Sequence, residues 1–171
     1  KSCMYNDVSS VSKFVNAKYD GWSKNANCTF LVSKPRLSKN SKKFLKSDNK
    51  YALIFEDDIF LPKKVEEQKE MGEKIKHLIQ NIPKKADMVY FGYCFEDCKK
   101  AKPYKENPDL FSHAISPVCL HSYLVSREGA RKLLELIIPL TQGIDVAVLY
   151  LIQQKKIQYV LFKQLIVYLY W

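Results

Sequence analysis

The 171-residue chain lacks any uninterrupted run of about eighteen apolar residues, the length that a membrane-spanning helix requires. Its most apolar stretch lies at the C-terminal end and is broken by Lys163 and Gln164, so we expect core strands there. No signal peptide is visible, and the first residue is Lys1 rather than Met. We therefore expect no transmembrane segment. Peripheral contact with a membrane remains an alternative, and the chain could be a fragment of a longer protein.

Closely spaced CxxC pairs of the kind that hold structural zinc are also missing. The odd number of cysteines predicts that most are buried free thiols, which favours a reducing, cytoplasmic environment. As an alternative, Cys94 and Cys98 could form a disulfide or bind zinc together with His113 or His121. The five cysteines are Cys3, Cys28, Cys94, Cys98 and Cys119.

The positive charge of the chain is not concentrated on one element. No segment interleaves basic and aromatic residues as many nucleic-acid-binding surfaces do. The 28 Lys and Arg residues against 18 Asp and Glu give a formal net charge of +10. This excess favours anionic partners such as nucleotide phosphates, nucleic acid or an acidic membrane surface, but it does not choose among them.

The apolar residues that are present, 47% of the chain, suffice for one domain spanning residues 1–171. Runs without polar alternation, "YALIF" and "DMVYFG" above all, are typical of strands buried on both faces of a parallel sheet. Strands alternate with helical patterns along the chain, so we expect an α/β fold. The predicted strands are "CTFLV", "YALIF", "DMVYFG", "CLHSYLVS", "IQYVLF" and "LIVYLYW".

Three adjacent acids follow the second predicted strand, at Glu56, Asp57 and Asp58. Ligands of α/β sheets gather at the carboxyl ends of strands, and Mg²⁺ or Mn²⁺ prefers carboxylate oxygens. A bound cation would offset the mutual repulsion of these side chains. The trio therefore favours a divalent metal site involving Asp57 and Asp58, with a simple turn toward the next helix as the alternative.

Two further polar residues are candidates for the same site. Asp145 precedes a helical pattern, which indicates either an N-cap or a carboxylate that contacts the metal surroundings or acts as a general base. His121 lies within an apolar strand beside Tyr123, where a structural histidine is the more common case. Both residues matter only if the fold brings them to the acidic edge.

Four segments in a fixed order carry a resemblance to a known family. "YALIFEDDIFL", "ADMVYFG", "HSYLVSREGARKLLE" and "GIDVAV" resemble the glycosyltransferases of family 25, which include lipooligosaccharide-type sugar transferases and procollagen galactosyltransferases. The resemblance spans roughly residues 34–150. The family's opening Ile-Asn-Leu strand has no counterpart in residues 1–33.

This resemblance implies a GT-A type fold, with a mostly parallel nucleotide-sugar-binding sheet flanked by helices. It implies a UDP-linked donor, a glycan or protein hydroxyl acceptor, and Mn²⁺ or Mg²⁺ held by Asp57 and Asp58. Glu56, Asp57 and His121 would contact the donor, and Asp145 would be the catalytic base of an inverting transfer.

Two other functions are left open by the sequence. Adjacent aspartates after a strand also serve two-metal phosphoryl transfer, so a nucleic-acid enzyme is one alternative, although we rank nucleic acid low as a partner. The other is a non-catalytic domain on a decayed transferase fold.

Overall fold

The computed structural model describes residues 28–32, 37–55, 62–94, 96–97, 99–137 and 143–163, with side chains from residue 41 onward. Its centre is a six-stranded sheet with the spatial order β1-β2-β5-β3-β6-β4. The strands are β1 (Cys28–Val32), β2 (Tyr51–Phe55), β3 (Met88–Cys94), β4 (Phe111–Ser112), β5 (Val118–Ser126) and β6 (Tyr159–Phe162).

Four helices complete the described architecture, and they cover both faces of the sheet. On one face, α2 contributes Met71, Ile75 and Leu78 to an apolar cluster with alternate strand residues. The opposite face packs against α1, α3 and α4. The helices are α1 (Leu37–Leu45), α2 (Val65–Asn81), α3 (Arg127–Ile137) and α4 (Ile144–Gln153).

The expectation of a mostly parallel sheet is wrong. β1 is parallel to β2 and β3 is parallel to β6, but β5 runs antiparallel to both β2 and β3, and β4 runs antiparallel to β6. An uninterrupted apolar run reports burial on both faces and carries no information about strand direction. Because helices cover both faces of this mixed sheet, β2 and β3 are fully buried without a parallel ladder.

The chain turns directly from β5 into α3, and a serine side chain caps this junction. Ser126, the last residue of β5, accepts a hydrogen bond at Oγ from the backbone N–H of Gly129 at 3.0 Å. Such a contact satisfies one of the free N–H groups of the first helical turn. The serine cap therefore fixes where the strand ends and the helix begins.

None of the helices within the described residues has the length and apolarity needed to cross a bilayer.

The connection that follows β3 contains three prolines and nevertheless includes a short strand. β3 continues to Cys94, and the two-residue strand β4 pairs with β6. The predicted strand "LIVYLYW" lies outside the described residues.

Candidate functional site

The candidate site lies at the edge of the sheet where β2 and β3 end and β5 begins. Because β5 is antiparallel to both neighbours, its first residues lie beside their last residues: Ser122 pairs with Phe55, and Val118 pairs with Cys94. We call this the exit edge. Glu56, Asp57 and Asp58 follow Phe55 directly in the chain, but all three lie outside the described residues.

At the exit edge, β3 and β5 approach each other closely with an irregular register. The pairing shifts between Tyr90 and Gly92 and again between Gly92 and Cys94. A Cβ added at Gly92 would lie 3.1 Å from Ser122 Oγ. That hydroxyl is fully buried and has no hydrogen-bond partner among the described residues. A buried, unsatisfied hydroxyl is uncommon in folded proteins, and a catalytic or ligand-binding role is one of the explanations for it.

The cysteine prediction needs correction at this edge. Cys94 and Cys119 form a disulfide between the end of β3 and the beginning of β5, so these two are not free thiols. The partner is Cys119, 25 residues away, rather than the nearby Cys98. His121 lies against this bridge, with Nε2 3.4 Å from Cys94 Sγ. The side chains of Cys3, Cys28 and Cys98 lie outside the described part.

Asp145 lies in the first turn of α4, and it is not the N-cap. Gly143 holds the N-cap position, while Asp145 Oδ1 accepts a hydrogen bond from the adjacent Val146 N–H at 2.9 Å. The helix therefore begins two residues earlier than it would with Asp145 as the N-cap. The carboxylate lies close enough to the sheet to raise the pKa of Tyr90, although burial of the phenol is the largest cause.

Two tyrosines and one glutamate that interact in series were not predicted as site residues: Tyr90, Tyr159 and Glu96. Tyr159 lies edge-on to Tyr90, with 6.3 Å between ring centroids, and its hydroxyl donates to Ala114 O at 2.6 Å. Burial raises the pKa of Tyr159 above its ordinary range, and the negative charge of Glu96 raises it further. The sheet face against which α4 packs therefore carries phenols whose raised pKa favours the protonated form.

Glu96 shapes the connection that follows β3. Its two carboxylate oxygens accept hydrogen bonds from the backbone N–H groups of Ile115 and Ser116, at 2.8 and 3.0 Å. Burial raises the pKa of Glu96, and the two hydrogen bonds act in the opposite direction. The long Pro-containing stretch 93–117 is the sequence feature that indicates a functional connection here, but it does not identify Glu96 as the anchor.

A cavity of about 550 Å³ lies at the opposite edge, where β2 and β3 begin and α3 starts. We call this the entry edge. Six Lys and Arg side chains line its wall, against the two acids Asp87 and Glu128, so the wall carries a strong excess of positive charge. Lys132 Nζ lies 2.7 Å from Asp87 Oδ2. The cations that line it are Lys50, Lys84, Lys85, Arg127, Arg131 and Lys132.

The predicted metal site consists of carboxylates, whereas the group of possible ligands among the described residues consists of sulfur and imidazole. Within the described residues, the side chains that converge closely enough to hold one ion are Cys94, Cys119 and His121. Sulfur and imidazole ligands suit softer ions than Mn²⁺ or Mg²⁺. The carboxylates that would suit a hard cation are those that follow Phe55, so no test of the Asp57 and Asp58 prediction comes from the described geometry.

Comparison with known proteins adds one match to this geometry. Residues 41–161, well over half of the chain, match the family described as "Glycosyltransferase family 25 (LPS biosynthesis protein)". No curated protein matches the chain. The matched segment begins in α1 and ends in β6, so it includes the exit edge, the acidic trio and Asp145.

Proposed function

The chain belongs to glycosyltransferase family 25 and is a glycosyltransferase enzyme, and on that premise we propose that it moves a sugar from a UDP-linked donor to an acceptor hydroxyl in a metal-dependent reaction. The observation that carries the proposal is the pairing of Phe55 with Ser122. This register puts the beginning of β5, with His121, beside the strand end from which the acidic trio continues. Both the acids and the histidine lie within the matched segment.

We assign donor binding to the exit edge. Asp57 and Asp58 would hold Mn²⁺ or Mg²⁺, because their carboxylate oxygens suit a hard divalent ion. When bound, such an ion would neutralise the charge that develops on the departing nucleoside diphosphate. Glu56 and His121 would orient the nucleotide, and the buried hydroxyl of Ser122 is an additional donor or acceptor at the same edge.

We extend the proposal to a GT-A type arrangement. Its support is the placement of helices on both faces of one sheet, with the acidic trio following the carboxyl end of a central strand. Ligands of open α/β sheets bind at such ends, where neighbouring connections diverge. The antiparallel β5 does not remove this crevice, because β2 and β3 still end at the same edge.

Asp145 is our proposed general base, and inversion is our proposed stereochemical outcome. A single displacement needs a carboxylate that takes the proton of the acceptor hydroxyl as that oxygen attacks the anomeric carbon. Asp145 is partly exposed and its oxygens are held by only one adjacent backbone N–H in the described contacts. The anomeric configuration of the product, read by NMR, separates inversion from retention.

The experiment that tests the function is a donor screen. Purified protein is incubated with several sugar nucleotides and Mn²⁺, and release of nucleoside diphosphate is measured. We expect release with a UDP-linked donor, and we expect UDP with Mn²⁺ to raise the melting temperature when UDP alone does not. The Asp58→Asn variant should lower the release rate on the order of 100-fold or more, because several kcal/mol of charge stabilisation would be lost.

Asp109→Asn is the matched control, since Asp109 is an exposed acid in the turn before β4. It should retain the wild-type rate and melting temperature. Full activity of Asp58→Asn would contradict the metal assignment. Metal binding without any sugar transfer or donor hydrolysis would instead identify a non-catalytic domain. Salt-sensitive binding of nucleic acid would favour the phosphoryl-transfer alternative.

A further inference from the structure

Three side chains from two strands converge beside the exit edge. Cys94 comes from the end of β3, and Cys119 and His121 come from the first half of β5. One ligand atom from each residue lies within 4.8 Å of the others. Cys94 is buried, whereas Cys119 and His121 are partly exposed, so the group is open to solvent from one side. A small solute can therefore reach it.

One distance within this group, from sulfur to imidazole nitrogen, matches a tetrahedral zinc site. With Zn–S near 2.3 Å and Zn–N near 2.0–2.1 Å, sulfur and nitrogen ligands of one ion lie about 3.5 Å apart. His121 Nε2 lies 3.4 Å from Cys94 Sγ. As a ligand arrangement, the same position is well suited to a metal.

The backbone of Cys119 supports a specific role for its side chain. Its φ is 67°, in the left-handed region that residues with a Cβ seldom occupy. Such a conformation costs about 1–3 kcal/mol and persists only where the surroundings impose it. At Cys119 the conformation keeps the sulfur beside Cys94 and His121. A strained residue that presents a thiol is what a bridge or a metal site at this position requires.

We propose that Cys94, Cys119 and His121 form a zinc site when the disulfide is reduced, so that bridge and metal exclude each other. A small thiol or dithiol reduces the S–S bond by exchange, is itself oxidised to its disulfide, and leaves two protein thiols. Zn²⁺ then binds the two sulfurs as thiolates, and both protons are released to solvent. Neutral His121 supplies the third ligand, and water completes the tetrahedron.

This zinc site differs from the proposed Mn²⁺ site in its ligand chemistry, although both proposals use His121. Two thiolates and an imidazole select a soft or intermediate ion, whereas the acidic trio would select a hard one. Zinc would join the end of β3 to the beginning of β5 in reducing surroundings, as the disulfide does in oxidising ones. The test below reads metal binding and not sugar transfer, so its failure is distinguishable from failure of the proposed function.

The test compares two redox states of the whole chain. Protein reduced with a phosphine, and protein oxidised with diamide, are each titrated with Co²⁺ as a spectroscopic substitute for Zn²⁺. We expect one Co²⁺ per reduced chain, with a thiolate-to-cobalt charge-transfer band and tetrahedral visible bands that Zn²⁺ abolishes. We expect no such bands from oxidised protein. A reduced chain without these bands would overturn the proposal.

Two variants identify the ligands. His121→Ala retains both cysteines, so its disulfide can still form, but it should bind Co²⁺ at least about 100-fold more weakly. His77→Ala, which removes an exposed histidine on α2, should bind like the wild type. Unchanged affinity in His121→Ala would refute the assignment.

A third measurement needs no variant. Zn²⁺ should protect Cys94 and Cys119 of the reduced wild type against alkylation, as read by mass spectrometry. Equal modification with and without zinc would also overturn the site.

Discussion

The two edges of the sheet differ in how their polar groups are satisfied. At the entry edge, buried Asp87 accepts hydrogen bonds at Oδ2 from Lys132 Nζ at 2.7 Å and from Gln158 N–H at 2.9 Å. At the exit edge, the buried hydroxyl of Ser122 has no partner among the described residues, and Cys119 holds a positive φ. The entry edge is organised for stability, and the exit edge retains unsatisfied and strained groups.

Arg127 illustrates the same contrast. Its guanidinium donates to the carbonyl oxygens of Leu45, Ser47 and Asn49, which join the end of α1 to the start of α3. This cation lines the basic cavity at the entry edge, yet its donors are already directed at the backbone. Charge density alone is therefore a poor indicator of function in a chain with a net charge of +10.

The largest difference that we expect between the two edges is in the effect of a mutation on the rate of sugar transfer. If Asp145 is the general base, Asp145→Asn should lower the transfer rate by roughly 10²–10⁴-fold, because the amide cannot accept the proton. The equivalent change near the entry edge, Asp48→Asn, should leave the rate unchanged, since Asp48 is an exposed residue of the turn that Arg127 contacts. Rates of sugar transfer for both variants provide the measurement.

Circular dichroism spectra of both variants should match the wild type, so that loss of activity is not loss of fold. Equal rates for Asp145→Asn and Asp48→Asn would remove Asp145 from the mechanism. The contrast between the edges would then rest on Ser122 and the cysteine group alone.

The next effect is on stability and concerns the entry edge. Lys132→Met removes the partner of a buried carboxylate, and we expect unfolding free energy to fall by about 2 kcal/mol. Removal of a partner from a fully buried pair costs more, but the Lys132 side chain is 31% exposed. Arg131→Met, which breaks the exposed pair with Glu128 at 3.4 Å, should cost less than about 0.5 kcal/mol.

Urea denaturation of the two variants measures this difference. Indistinguishable midpoints would show that the Asp87 pair contributes no more than a surface ion pair. The entry edge would then lose its role as the structurally committed side of the sheet.

Several features of the fold follow from local sequence. "YALIF" is a strand buried on both faces, because its five residues are all apolar, and Ser126 caps α3, because a serine directly before a helical pattern can accept its free N–H groups. Each signal is contained within a few residues. The direction of β5 is not, since it depends on the 23-residue connection from β3 rather than on the strand's own composition.

The candidate site also has some features that the local sequence predicts and others that depend on distant residues. A run of three acids after a strand is visible in the sequence, and so is the resemblance that assigns roles to them. The bridge from Cys94 to Cys119 and the ion pair of Asp87 with Lys132 join residues 25 and 45 positions apart. Such partners are selected by strand register and packing, which sequence periodicity does not encode, so proximity along the chain offered Cys98 as the alternative partner of Cys94 and did not indicate Cys119.

The smallest effect concerns the tyrosines near Asp145. Tyr159→Phe removes the hydroxyl that donates to Ala114 O, and we expect unfolding free energy to fall by about 1 kcal/mol at neutral pH. The pKa of Tyr159 is raised in the folded state, chiefly by burial, so folding favours the protonated phenol. Its stabilisation is complete below the ordinary tyrosine pKa near 10 and is lost as pH rises toward the folded value.

The stability difference between wild type and Tyr159→Phe should therefore narrow above about pH 10. Urea denaturation at neutral and alkaline pH measures both values, and Tyr150→Phe, at an exposed position on α4, is the control. A difference that stays constant across this range would mean that the Tyr159 phenol is no more protected in the folded chain than in the unfolded one.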